Sequence, residues 1–174
     1  MRPWIIWIVL GALSILFGVL SLGNAVAASI AVTVLTGALL LIAGVFQAVA
    51  GFYDPSGWNK VVSILIGIVL GILGLSFMIT PTEGVLSLAM LVTLFIGTAG
   101  ILRLFWAYRL RQTSFFWMML LSGAMSILLA GYVFANFSSV STELLGILLG
   151  IELLFNGTAL LIFGFFLRRH LYDD

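Results

Sequence analysis

Gly146 to Gly164 reads GILLGIELLFNGTALLIFG, an apolar run with one carboxylate, Glu152, near its middle. On a helix, Gly150, Gly157 and Gly164 recur every seven residues and line one edge, with Gly146 close by. Glu152 and Asn156 stand four apart and share a face roughly 140° from that edge, at about 100° per residue. Glycine lets a neighbouring backbone approach closely, and a charge in hydrocarbon demands a protein partner. A helix with both features is expected to touch protein on two sides. The stretch therefore reads as a central helix of a membrane bundle.

The rest of the chain fits that reading. Of its 174 residues 63% are hydrophobic and 7% charged, with a mean hydropathy of +1.32. A soluble domain carries about 25% charge. Six runs are each long enough to cross a bilayer: about 4–22, 28–52, 60–79, 85–107, 115–135 and 142–167. The breaks between them are short, so consecutive helices are expected to be antiparallel neighbours. They fall at Leu22 to Ala28, Tyr53 to Gly57, Thr80 to Gly84, Tyr108 to Ser114 and Asn136 to Ser141. Proline with Gly, Ser, Asp or Thr supplies turn chemistry in two of them. The N-terminus has the outline of a signal peptide, with Arg2 before an apolar run and Ala25-Val26-Ala27 after it. That run is longer than the usual 7–15 residues of a signal core, and the repeat needs it, so it is read as a retained helix.

Charge sets the expected orientation. With six spans, Arg2, Lys60, Arg109, Arg111, Arg168 and Arg169 share one side, and the opposite loops hold only Glu83 and Glu143. This bias places both termini in the cytoplasm. Trp4, Trp7, Trp58, Trp106, Tyr108, Trp117 and Tyr172 lie near the same boundary, as an aromatic belt does.

The chain also repeats three times with a period of 56–57 residues. Gly11 and Gly18 match Gly67 and Gly74, then Gly123 and Ala130. Gly37, Gly44 and Gly51 match Thr93, Gly100 and Ala107, then Gly150, Gly157 and Gly164. The expected fold is all-α, with three helical hairpins in the same orientation spanning about 4–54, 58–108 and 115–167. The glycines read as helix-packing positions, since small residues at one heptad position favour left-handed crossing. A transporter would use them as hinges. Transporter folds often show inverted repeats and broken helices, whereas these units are parallel and no proline lies inside a span.

Three stretches carry a family resemblance: GILRLFWAYRLRQTSFFW at Gly100–Trp117, LLGIELLFNGTALLIFGFF at Leu148–Phe166, and the Gly-x6-Gly opening of the odd helices. Across essentially the whole chain the sequence resembles the HdeD-type acid-resistance membrane proteins, bacterial inner-membrane proteins of six helices built from a repeated hairpin. The resemblance implies a role in surviving acid stress. It supplies no mechanism and no established catalytic or ligand residues. Arg103, Tyr108, Arg109, Gly150 and Glu152 fall on family-like positions.

Glu152 is the sharpest anomaly, placed near mid-bilayer, where a carboxylate needs a partner, a proton or water. Three readings stay open: a structural network with Arg103 and Asn156, a neutral hydrogen-bonded acid, or a proton or ion relay. Aligned by the glycines, Arg103 stands level with Leu160, eight residues or about 12 Å below Glu152. Arg103 reads as snorkelling to the headgroups or meeting Gln47, its repeat equivalent, in a polar cavity. His170 is the only histidine and the chain has no cysteine. No metal, cofactor or nucleic-acid ligand is expected, and no catalytic constellation is present in the sequence. The expected partners are the lipid bilayer and a second copy or another membrane protein. Three functions follow: a non-enzymatic protein of acid tolerance, a small transporter or proton channel using Glu152, Asn156, Arg103 and Gln47, and a scaffold acting through helix contacts.

Overall fold

The computed structural model describes residues 3–170 apart from Asp54, Ser56 and Ser114, together with all side chains in that range but those of Pro3 and His170. Arg2 and Tyr172 of the proposed cytoplasmic belt, and Asp54 and Ser56 of the first polar turn, lie outside the described residues. The described residues form six helices: α1 (Pro3–Gly23), α2 (Ala25–Phe52), α3 (Gly57–Ile79), α4 (Pro81–Arg109), α5 (Phe116–Ala135) and α6 (Phe137–His170). All six are long and apolar enough to cross a membrane. They form three tandem hairpins in one orientation.

Two kinds of connection alternate. α1 and α2, α3 and α4, and α5 and α6 are each joined through one residue: Asn24, Thr80 and Asn136. These three stand 56 residues apart, one per repeat. The sequence places longer loops here, and the structure shortens them because the residues after each turn are themselves helical. Pro81 sits in the first turn of α4, where its missing N–H is no loss. Asn24 accepts a hydrogen bond from the Ala27 amide at 3.1 Å and so caps α2. Asn136 closes α5 by donating its side-chain amide to the Tyr132 carbonyl at 3.0 Å. The other connections, 53–56 and 110–115, are longer and lie at the arginine-bearing end. There Lys60 lies over Phe52, Arg109 over Phe105, Arg111 over Tyr108 and Arg168 over Trp4, at 5.1–5.7 Å.

The packing does not follow the hairpins. Helices joined by the one-residue turns touch only sparsely, so the expectation that every consecutive pair packs together holds for α2·α3 and α4·α5 and fails for the rest. The extensive contacts are α2·α3, α4·α5 and α1·α6. Each odd helix thus lies on the even helix of the preceding repeat, and α1 closes the ring on α6. The physical reason lies in the glycine stripes, which are matched across these three pairs. A Cβ on Gly44 would lie 2.6 Å from the Gly67 carbonyl oxygen, and one on Gly67 would lie 2.7 Å from that of Gly44. Gly11 and Gly157 meet at 2.8 Å by the same measure, and Gly123 would meet the Gly100 oxygen at 3.0 Å. A second tier pairs Gly37 with Gly74 and Gly18 with Gly150.

The even helices form the centre, with α2·α6 the most extensive of their contacts. Their shared core sits near the one-residue turns. Ser29, Val85 and Ser141 are repeat equivalents 56 residues apart and all are buried. Thr33, Ala89, Val133, Leu144 and Leu145 are buried as well, and Ala89, Val133 and Leu144 form one apolar cluster. Toward the arginine end the pattern changes. Beyond Gly150 the only buried residues among the described side chains of α6 are Gly157 and Gly164, which face α1. On α2 beyond Gly37 only Gly44 and Gly51 are buried, and both face α3. The three helix pairs converge at the turns and share little with one another beyond them.

Candidate functional site

Three separate places within the spans hold the polar side chains that bear on function. The first is buried, at the convergence of α1, α2 and α6. Ser21 Oγ donates to the Gly146 carbonyl at 2.7 Å, and the Gly146 amide donates to Ser29 Oγ at 2.8 Å. The Gly146 backbone is thereby held from both sides, against the Ala25 carbonyl. Only glycine leaves room for that approach. The spacing explains why α6 differs here. Equivalents are 56 apart at Val85 and Ser141 but 57 apart at Thr93 and Gly150, so α6 carries one extra residue between Ser141 and Gly150. Thr33 and Thr93 return their hydroxyls to the carbonyls of Ser29 and Ala89, one turn back. Ser141 Oγ is buried with no partner among the described residues. None of these groups titrates.

The second place is the α4·α5 contact. Arg103 donates from one guanidinium nitrogen to Ser122 Oγ at 2.9 Å and to Ser126 Oγ at 3.2 Å. It adjoins a cavity of about 380 Å³ lined also by Phe115, Met118 and Met119. Gln47, its equivalent on α2, is half-buried and makes no hydrogen bond with it. The sequence singles out Arg103 but not its serines. Their signal is the i, i+4 spacing of Ser122 and Ser126, which puts two hydroxyls on one helix face.

The third place is Glu152 with Asn156. Both are exposed on α6, and no ion pair joins Glu152 to Arg103 among the described residues. The repeat explains the exposure. Five residues before Gly157 stands Glu152, five before Gly100 stands Phe95, and five before Gly44 stands Leu39. Phe95 and Leu39 are each 66% exposed, so this position faces outward in every repeat. In the third repeat alone it carries a carboxyl group. α6 does touch protein on several sides, as α1, α2 and α4 all contact it, but the Glu152 side is open.

No group of three or more His, Cys, Asp or Glu able to hold a metal occurs among the described residues. The remaining glycines of the two stripes are each within van der Waals reach of a helix: Gly51 meets Ser63 and Ile64, and Gly164 meets Ile8.

Comparison with known proteins places this architecture. The model of a short repeat of unknown function (DUF308) matches residues 9–79 and again 65–135. The two matches start 56 residues apart, and each runs through an odd helix, an even helix and the next odd helix. Each therefore contains one whole cross-repeat pair, α2·α3 or α4·α5. Protein HdeD of Escherichia coli strain K12 is 30% identical over 129 residues, which is 73% of this chain and 68% of the relative. Protein HdeD of Escherichia coli O157:H7 and of Shigella flexneri match over the same extent at the same identity. No solved structure matches the chain.

Proposed function

The chain belongs to the HdeD-type family of repeat-built, multi-pass membrane proteins, and from that premise we propose that it is a non-enzymatic protein of a bacterial inner membrane that helps the cell survive acid. Both termini are assigned to the cytoplasm, on the arginine-bearing side. The one-residue turns then face the acidified exterior.

The observation that carries the reading is the chemistry of that exterior end. The even helices meet there through Ser29, Thr33, Val85, Ala89, Ser141 and Leu144, and α1 is tied in through Ser21 and Gly146. Hydroxyls, backbone groups and apolar contacts hold it, and protonation changes none of them. Stability is lost on acidification when the native state binds fewer protons than the unfolded state. A junction without titrating partners avoids that loss. One-residue turns also leave no outer loop to unfold.

The transporter reading asks Glu152, Asn156, Arg103 and Gln47 to line one path. Arg103 is engaged with α5, and Glu152 faces outward from α6. The scaffold reading asks for a glycine stripe turned to lipid, while the heptad glycines lie against helices of the same chain. Neither is the reading adopted.

The test is survival of a strongly acidic shift by a deletion strain, complemented with wild type or with Glu152→Gln at equal protein level. Acid protection requires that deletion lowers survival and that wild type restores it. A deletion without effect at any cell density ends the proposal. Failure of Glu152→Gln alone would bring the conducting reading forward.

A further inference from the structure

The α4·α5 interface differs from its two counterparts in one respect that packing does not require. Where Arg103 faces Ser122 and Ser126, α2·α3 has Gln47 with Ile66 and Leu70, and α1·α6 has Leu160 with Leu10 and Ser14. The same glycine-based contact is built in all three places, and among the described residues only α4·α5 holds a cation at this register, since Lys60 over Phe52 and Arg168 over Trp4 sit at the helix ends of the other two pairs. Arg103 stands six residues before Arg109, the last residue of α4, or roughly 9 Å of helix rise inside that end. Holding a charge at that depth is costly, and such residues mark sites.

We propose that the cleft around Arg103 binds the phosphate of an anionic phospholipid. Ser122 and Ser126 both draw on one terminal nitrogen of the guanidinium. The other terminal nitrogen and Nε have no acceptor among the described residues, and the charge has no carboxylate beside it. A guanidinium presents five N–H donors in a fork that matches phosphate, and two hydroxyls steady it here. The adjoining cavity of about 380 Å³ reaches from Ser122 to Phe115, which precedes α5 at the arginine end. Beside the polar heads of Arg103 and Ser122 its remaining walls are the apolar Phe115, Met118 and Met119, of which Phe115 and Met118 are 60% and 63% exposed on the outside of the helix pair. A free inorganic anion gains nothing from such walls, whereas the glycerol and upper acyl carbons of a lipid do. Basic pockets between helices on the cytoplasmic side recognise anionic headgroups in this way.

The test uses the full chain in neutral detergent and native mass spectrometry, titrating phosphatidylglycerol against phosphatidylcholine. Wild type is expected to hold the first phosphatidylglycerol about tenfold more tightly, which corresponds to about 1.4 kcal/mol. Arg103→Gln is expected to erase that preference. Arg111→Gln removes an equal charge outside the cleft and is expected to keep most of it. Arg103→Lys retains the charge without the fork, serves if Arg103→Gln does not fold, and is expected to lose at least threefold. Equal losses in Arg103→Gln and Arg111→Gln would reduce the effect to surface charge and overturn the site. Full retention by Arg103→Lys would also overturn it. Displacement of the lipid by millimolar inorganic phosphate would reassign the cleft to a soluble anion and overturn the lipid assignment.

Discussion

Adding one methyl group at Gly44 tests the helix pairing most directly. A Cβ there would lie 2.6 Å from the Gly67 carbonyl oxygen and 2.7 Å from the Gly71 amide nitrogen. Both are backbone atoms of a helix and cannot swing away. Relief to an ordinary carbon–oxygen contact near 3.4 Å needs α2 and α3 to part locally by about 0.7–0.8 Å. A gap of 0.5–1 Å forfeits a quarter to a half of the dispersion attraction of the atoms lining it. Overpacking of this kind costs about 1–3 kcal/mol, and backbone-on-backbone contact points to the upper end. Gly71→Ala is the control. It lies one turn from Gly67 on the same helix, and a Cβ there meets nothing within 4 Å. The three pairs should also grade. Gly44→Ala and Gly67→Ala should cost most, Gly11→Ala less at 2.8 Å, and Gly123→Ala least at 3.0 Å. The assay is unfolding by increasing sodium dodecyl sulphate in mixed micelles, followed by circular dichroism. If Gly44→Ala unfolds together with Gly71→Ala to within about 0.5 kcal/mol, the close α2·α3 approach is absent and the ring arrangement loses its main support.

Other outcomes follow from the same geometry. Gly146→Ala should prevent accumulation of the folded chain, because its methyl group would enter the Ala25 carbonyl; normal levels in the membrane fraction would contradict this. Ser29→Ala should cost about 0.6–1.7 kcal/mol in the detergent titration, the range of interhelical bonds in membranes, and no change would mean the Gly146 amide is satisfied elsewhere. Glu152→Leu should leave accumulation and midpoint essentially unchanged, since the residue has no partner among the described residues; a chain lost on this substitution must use Glu152 structurally. Helicity in detergent should persist from neutral pH to about pH 4, because the junction at the turns contains no titrating contact, and earlier loss of helix would refute the proposed basis of acid tolerance. The chain has no cysteine, so single Asn24→Cys and Thr113→Cys variants report topology cleanly. Only Asn24→Cys should react with an impermeant thiol reagent added outside intact spheroplasts, and the reverse labelling would invert the orientation.

Helix number and the threefold repeat are legible in the sequence because both rest on simple signals: length of apolar run, and a glycine every seven residues. Which helix pairs with which is less legible. All six helices carry small residues at the same heptad positions, and identical stripes do not name their partners. Chain proximity suggests the hairpins, but the structure instead matches each stripe to one in the neighbouring repeat. The one-residue turns are hidden for a different reason. Residues such as Pro81 and Thr82 read as loop by composition, yet proline fits a first helical turn. Glu152 shows where residue-by-residue reading stops. In an almost wholly apolar helix, hydrophobicity does not distinguish the buried face from the lipid-facing one. The repeat can make the distinction once two of its three copies have been seen, because Leu39 and Phe95 mark the face as outward.

The closure of α1 on α6 gives the two ends of the chain a task the middle does not have. An open row of three hairpins would leave two glycine stripes uncovered, on α1 and on α6. Folding the row into a ring covers each with the other, using the same contact that joins α2 to α3 and α4 to α5. The register of that last contact then matters, since Gly11 must meet Gly157 and Gly18 must meet Gly150 while the turns still converge. Ring closure from partners so far apart in sequence carries a large loop entropy, which the inner pairs avoid. Here the extra residue of α6 acquires a purpose. Placed between Ser141 and Gly150, it lets the upper part of α6 keep the central core in phase with Val85, while the lower part turns its glycines onto α1. Ser21 and Ser29 hold the Gly146 backbone at that step, one from α1 and one from α2. The polar knot therefore sits where the ring is closed, and the other two repeats, whose partners are adjacent in the chain, have no counterpart to it.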